Sequence, residues 1–473
     1  MRYILIILSL FTGCIATSQN KQIIYGMSEI PQSLMVNPGG IVPQDMHIGI
    51  PFLSQLHINA GSSGVTVYDI FQSSDTSIND RITDAIFQMD NADFFTVTQQ
   101  LELINIGWRS KSDYYFSGGI YQELDMITYF PKDLAVLGWE GNREYLDYEF
   151  DLGEINTSGD LLTVYHFGAN KRISDRLTLG VRAKVYSSIF NYRSTDNRGT
   201  FVTRLGDGSQ NIYDHVLEDA HVSVQTSGIG SLIDNENVNN ANDVMRHAFG
   251  RAFFGGNLGI GMDVGATYDI TNRLTASASV LDFGTIFHSN DVENYRASGS
   301  YTLTGINLIF PPLNDGENTL PYYQNLEDEI TEQVPVDTLY NSYSTMRPLK
   351  VNAALVYKFG KLINSDECDC LVRADDGGSG QSVGLKFYSI FRPKAPQMAA
   401  TLFYYRRFAD FLSGKVTYTV DTYGTDNIGL GLVGDFNTFN VYIAADNLLR
   451  YGNIAKANSV SLQLGFNLKF ESQ

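Results

Sequence analysis

The sequence predicts an all-β protein: a transmembrane antiparallel outer-membrane β-barrel of about 14 strands (12–16 tolerated), with one or two short helices. Three observations carry this. Long segments alternate apolar with small or polar residues. The alternating runs approach the ~9–11 residues that a tilted strand needs to cross a bilayer. No stretch beyond the N-terminus has the 18 apolar residues of a spanning helix. Only a closed barrel satisfies every backbone group in lipid without helices.

The chain opens with Arg2 and the apolar run YILIILSLF, too short to span and suited to a secretory signal. Ala16-Thr17-Ser18 before Gln19 is the preferred cleavage site, and the lipoprotein-like LFTGC ending at Cys14 is the alternative. The chain therefore divides into a signal peptide (1–18), an extended lead-in (19–45) and a single barrel domain (46–473). The lead-in carries the prolines and NPGG turn of SEIPQSLMVNPGGIVPQD. MHIGIPF at Met46 to Phe52 begins the alternation, and QLHINAGSSGVTVYDIF follows. Ile78, Ile82, Ile86 and Met89 recur at helical spacing. Pro131 and Gly138 bracket a second short helix in FPKDLAVLGWEGN. Such helices sit in the lumen, cap the periplasmic mouth or lie in surface loops.

The phrase ISDRLTLGVRAKVY (Ile173 to Tyr186) is echoed by ITNRLTASASVLDF (Ile270 to Phe283). In the first copy Leu177, Leu179, Val181, Ala183 and Val185 share one face of a strand. Thr178, Gly180, Arg182, Lys184 and Tyr186 share the other. In the second, Leu274, Ala276, Ala278 and Val280 oppose Thr275, Ser277 and Ser279. Each copy reads as a tight periplasmic turn leading into an outward-going strand. The preceding strand alternates from Leu258 to Ile270, with Asp263 on its polar face. NRGTFVTRL and AHVSVQTS supply further strands, before a polar loop from Ser227 to His247. Strands resume at Val351, and the last, SVSLQLGFNLKF, is an amphipathic segment ending in an aromatic, as barrel C-termini do. Parity aims Arg182, Lys184, Asp263, Gln463, Asn467 and Lys469 into the lumen. There the cations either favour anionic solutes or, the preferred reading, brace the barrel by pairing with carboxylates such as Asp263.

A net charge of −19 argues against nucleic-acid binding, which needs clustered cations. Catalytic motifs are missing or misplaced. There is no G-x-S-x-G. LDFG at Leu281 to Gly284 ends a strand without kinase companions, and GNLGIG opens no helix. Asp375 and Asp376 in RADDGGSG lack the spacing of a calcium loop. Cys368 and Cys370 read as a loop thiol or disulfide pair before a metal site. The expectation is a non-enzyme with no catalytic residues, no metal and no cofactor.

MVNPGG at Met35 to Gly40, IGIPF, FPKDLAVLGWEGN, RLTLGVRAKVY and GIGMDVGATYDITNRLTASASVLDFG together resemble a domain-of-unknown-function family of outer-membrane barrels. That family is similar to the PorP/SprF-like proteins associated with type IX secretion and, more loosely, to FadL-type transporters. The first likeness implies a cell-surface barrel, marked by the N-terminal motif Asn37, Pro38, Gly39, that anchors or presents a secreted protein. The second implies a channel for a small or hydrophobic solute, plugged by N-terminal residues. The expected function is the first, non-enzymatic role, with the transporter as alternative and an outer-membrane enzyme as a distant third. The expected partners are outer-membrane lipid and a secreted surface protein, with oligomeric state left open.

Overall fold

The computed structural model describes residues 22–206, 212–230, 241–303, 328–360, 380–436 and 438–470. The signal segment, Cys368, Cys370, Asp375 and Asp376 lie outside these described residues.

In chain order the strands are β1 (Met46–Gly49), β2 (Leu56–Ser62), β3 (Phe94–Arg109), β4 (Tyr114–Tyr129), β5 (Glu149–Asp151), β6 (Thr157–Ser174) and β7 (Leu177–Ser194). There follow β8 (Arg198–Leu205), β9 (Tyr213–Ser227), β10 (Asn257–Asp269), β11 (Leu274–His288), β12 (Asn294–Leu303), β13 (Val336–Leu339) and β14 (Tyr343–Met346). The series ends with β15 (Lys350–Phe359), β16 (Gln381–Ile390), β17 (Gln397–Ala409), β18 (Leu412–Asp421), β19 (Gly424–Phe436), β20 (Phe439–Asp446) and β21 (Ser459–Phe470).

They build a closed antiparallel barrel of 14 staves. β1 and β2 form one interrupted stave, since both pair with β21 on one side and β3 on the other. That double pairing closes the wall. β14 and β15 likewise share a stave beside β11. β5, β8, β9, β12 and β13 lie off the barrel: β9 pairs antiparallel with the last residues of β7, Asn191 to Ser194, and carries β8 and β12, which pair with β5 and β13. NRGTFVTRL and AHVSVQTS are thus strands, but of this extension. No helix among the described residues is long and apolar enough to cross a membrane.

The expected alternation sorts inside from outside. Val181, Ile260, Met262, Phe283, Leu385, Leu402 and Ile443 stand exposed on the outer face, and Arg182, Asp263, Lys386 and Asn467 are buried within. Both echoed phrases span turns at one end of the barrel, between Ser174 and Leu177 and between Asp269 and Leu274, and run on into the following strands. The same end holds the pair Met46 and Phe470. Short turns there and longer connections opposite are the periplasmic and outer ends of this barrel type. The helices Ile78–Gln88 and Lys132–Glu140 both follow strands that end at the opposite, outer side, so neither caps the periplasmic mouth. They pack on each other through Ile86 and Val136, with Trp139 Nε1 donating to Thr83 at 2.8 Å.

A cation on the lipid face should be costly. Ile260→Arg is expected to lower barrel stability by about 2–4 kcal/mol, read as a fall in the urea midpoint at which the heat-modifiable folded band is lost. Arginine at an exposed position outside the barrel wall, such as Val336 of β13, should leave that midpoint unchanged.

Candidate functional site: a plugged lumen

The segment from Gln22 to Asp45 was expected as an extended lead-in. It instead turns back inside the barrel, with a short 3-10 helix at Pro31–Met35 begun by proline. Its apolar residues Ile23, Ile24, Tyr25, Met27 and Ile30 bury against Ala354, Val433, Tyr442 and Ala444 of the wall. Its backbone carbonyls, which no sheet satisfies, are met by wall side chains. Arg182 Nη2 donates to Leu34 O at 2.8 Å and Ser279 Oγ to Val36 O at 2.7 Å. Asn170 Nδ2 reaches both Pro38 O at 2.6 Å and Gly40 O at 2.8 Å. Lys415 Nζ donates to Tyr25 O at 2.7 Å, and Lys386 Nζ sits 4.2 Å above the Tyr25 ring. Burial pushes the Tyr25 phenol up to about 12, so it meets these lysines as a neutral ring and hydroxyl. Gln32 bridges Glu102 and Asn467, and Tyr405 donates to Glu29.

The NPGG turn seats where two strands have no side chain. Gly180 of β7 and Gly265 of β10 face each other in register. A Cβ on Gly180 would stand 1.9 Å from Pro38 O, and one on Gly265 2.2 Å from Asn37 Oδ1. Gly39 is equally constrained, since its Cβ would meet Gly265 O at 2.3 Å. Asn37 closes the turn by accepting from Gly39 N at 3.0 Å while its amide reaches Thr267 Oγ1 at 3.4 Å. Asn37, Pro38 and Gly39 are therefore the foot of the plug.

Outward of the plug a chain of buried charges crosses the lumen. Asp263 pairs with Arg182 at 3.4 Å and Lys184 at 2.9 Å. Asp282 joins Lys184 at 2.6 Å to Lys350 at 2.7 Å. Glu123 joins Lys350 at 3.1 Å to Arg347 at 3.0 Å, and Arg347 ends on Asp160 at 3.1 Å. Four cations and four carboxylates balance, as a desolvated network requires. Between plug and charge belt lies a cavity of about 30 Å³, bordered by Met35, Tyr121, Lys184, Asp282, Lys350 and Tyr388. That holds one or two waters and no larger solute.

All six residues aimed inward by parity lie buried: Arg182 and Asn467 on the plug, Lys184 and Asp263 in the charge belt, Gln463 on the wall, and Lys469 at the rim, 2.5 Å from Asp435. Reading the sequence alone missed Asp282, Glu123, Arg347, Lys350 and Asp160. Asp282 was hidden by a β-bulge. The β10–β11 register shifts between Met262 and Val264, and Asp282 takes φ 60°. Leu281 and Asp282 consequently both turn inward. LDFG lies in mid-strand rather than ending one. An aspartate at the point where the alternation changes phase was the available signal.

The first stave is irregular beside the plug. Between Gly49 and Leu56 it carries an extra turn closed by Leu53 N donating to Ile50 O at 2.9 Å, while Ile50 N donates to Phe466 O at 3.2 Å and Phe466 N to Leu53 O at 3.0 Å, so the turn stays bonded to β21. Phe52 (φ 63°) and Leu53 project outward, exposed, while Ser54 and Gln55 are fully buried behind them. The Ser54 hydroxyl and both ends of the Gln55 amide have no hydrogen-bond partner. β3 bulges opposite, between Glu102 and Ile104.

No curated protein matches the sequence. Among solved structures the chain is similar to a FadL homologue of Pseudomonas aeruginosa, at 10% identity and TM-score 0.44, covering 96% of this chain and 99% of that one. It is similar to the toluene transporter TbuX of Ralstonia pickettii, at 11% identity and TM-score 0.41, covering 93% and 94%. It is also similar to the translocator domain of the autotransporter NalP of Neisseria meningitidis, at 7% identity and TM-score 0.31, covering 90% and 89%. None is near enough in sequence to carry a function across. Residues 38–446, from the foot of the plug to the end of β20, match the model described as a family of unknown function (DUF5723), and the chain belongs to that family.

Proposed function

We propose that this protein is a gated outer-membrane channel for a small, largely hydrophobic solute, with its N-terminal segment as the gate. The supporting observation is that residues 22–45 occupy the lumen as a separate body, held by side chains rather than by strand pairing. Such a body leaves by exchanging single hydrogen bonds, each worth ~1 kcal/mol net, without breaking the barrel ladder. The surface it would vacate is apolar at Ala354, Val433 and Ala444. The irregular turn at Ile50–Gln55 sits beside it, with apolar side chains outside and unsatisfied polar groups within. The chemistry needs no catalytic group. The test is uptake of a radiolabelled small aromatic hydrocarbon at low external concentration. Cells expressing the protein should take it up several-fold faster than cells without it, with no change for a sugar of similar size. Equal rates would refute the channel.

A second reading has its own observation. The extension sheet of β5, β8, β9, β12 and β13 exposes Leu205, Val336 and, beside it, Tyr340 at the outer end. A barrel that presents a secreted protein, as a type IX secretion-associated role requires, would hold it there. Affinity purification in mild detergent separates the readings, since a stoichiometric secreted partner favours this one.

A further inference from the structure

A second site lies outside the barrel, at its outer end, and is independent of the lumen. The turn Arg251–Gly255, into which the helix Ala241–Gly250 leads, lies against the outer face of β6 and β7. Ser187 Oγ donates to Arg251 O at 2.7 Å and Tyr165 OH to Ala252 O at 3.1 Å. The Phe254 ring stacks on Tyr165 at 4.3 Å. Ser187 and Ile189 share the outward parity of Val181 and Val185 yet are buried beneath this cover. The cover is itself apolar on its free side: Phe249, Phe253 and Phe254 are more than half exposed, at 63%, 55% and 54%. They continue the lipid-facing surface of Leu258 and Ile260. The segment thus has the form of an interfacial helix resting on the wall.

Beside these rings opens a cleft of about 490 Å³, lined by Arg246, His247, Gly250, Arg251, Gly255, Asn290 and Asp291. Arg251 is only 5% exposed. Its Nε donates to Ile189 O at 2.7 Å and its Nη1 lies 3.6 Å from Asp291. Its Nη2 is buried with no partner. Arg246 is exposed at the lip, so among the described residues two guanidiniums and His247 line the cleft with one carboxylate, Asp291. In a chain of net charge −19, a cationic cleft at the edge of the apolar belt has a specific use. A guanidinium's spare donors match phosphate oxygens, and basic pockets at the interface hold lipid headgroups.

We propose that this cleft binds the phosphate of an anionic membrane lipid, whose acyl chains lie along Phe249, Phe253 and Phe254. Free phosphate shares the headgroup chemistry but gains nothing from the rings. The test is native mass spectrometry of the full chain in neutral detergent with phosphatidic acid or phosphatidylcholine, and calorimetry with inorganic phosphate. Wild type should retain phosphatidic acid at least about tenfold better than phosphatidylcholine. Arg246→Ala, at an exposed position, should lose that preference while keeping the heat-modifiable fold. Phe253→Ser/Phe254→Ser should lose the lipid as well. Equal retention of the two lipids, an unchanged preference in Arg246→Ala, or inorganic phosphate bound as tightly as phosphatidic acid would each overturn the proposal.

Discussion

Gly180→Val is expected to expel the plug from an otherwise intact barrel. A Cβ at Gly180 already falls 1.9 Å from Pro38 O and 2.2 Å from its carbon, so a branched side chain leaves the NPGG turn no room. Overpacking of this kind costs about 1–3 kcal/mol or more. The plug foot is held there by a few hydrogen bonds of ~1 kcal/mol each, so the balance tips toward release. The outer face and the β6–β7–β10 ladder are untouched, so the heat-modifiable band should persist. The readout is chymotrypsin. Tyr25 and Leu34 are both nearly fully buried and should resist cleavage in wild type, and the variant should be cut at both without loss of the barrel. Gly265→Ala, whose smaller methyl meets the Asn37 side chain at 2.2 Å and Gly39 N at 2.8 Å, should have the same effect in smaller measure.

Asp282→Asn is expected to destabilise the barrel itself, by about 3–5 kcal/mol. Asp282 is the link that neutralises both Lys184 and Lys350, all three buried. Its amide leaves two buried ammonium groups short of one charge beside a cavity with room for no more than one or two waters. Asparagine tolerates the left-handed backbone at this position, so the substitution isolates the charge from the bulge. The urea midpoint of folded barrel should fall sharply. Adding Lys350→Met should recover part of the loss, although Glu123 then keeps only Arg347 in the belt. An unchanged midpoint in Asp282→Asn would mean the belt is hydrated and contributes nothing.

The wall was legible in the sequence because lipid and lumen impose a period of two on every stave. Along Leu177 to Tyr186 and Ser459 to Phe470 the alternation in sequence is matched by alternating exposure in the structure, with Arg182, Lys184 and Asn467 buried. Two kinds of information were not. Parity says which way a side chain points but not what stands opposite, so Asp263 was a natural partner for Arg182 while Glu123, Arg347 and Asp160, brought across the lumen by closure, were not. Parity also fails where the ladder slips, which is why Asp282 escaped notice. The plug foot was visible as MVNPGG, but its seat was not. Gly180 and Gly265 look like ordinary small lumen-facing residues until the turn that needs their missing side chains is placed against them. The turn after Gly49 was likewise read as continuous alternation through Phe52, although Pro51 removes a ladder donor there.

The measurement that bears most directly on the gated channel is uptake through a plug that cannot leave. Asn37 and Thr267 touch across the plug foot, so Asn37→Cys/Thr267→Cys, with Cys368 and Cys370 replaced by serine, ties the segment to the wall. Oxidised cells should take up the hydrocarbon at the rate of cells lacking the protein, and a reductant should restore the rate of the cysteine-free parent. Uptake that is as fast with the lock closed as open would show that the solute never passes the plug, and would contradict the account.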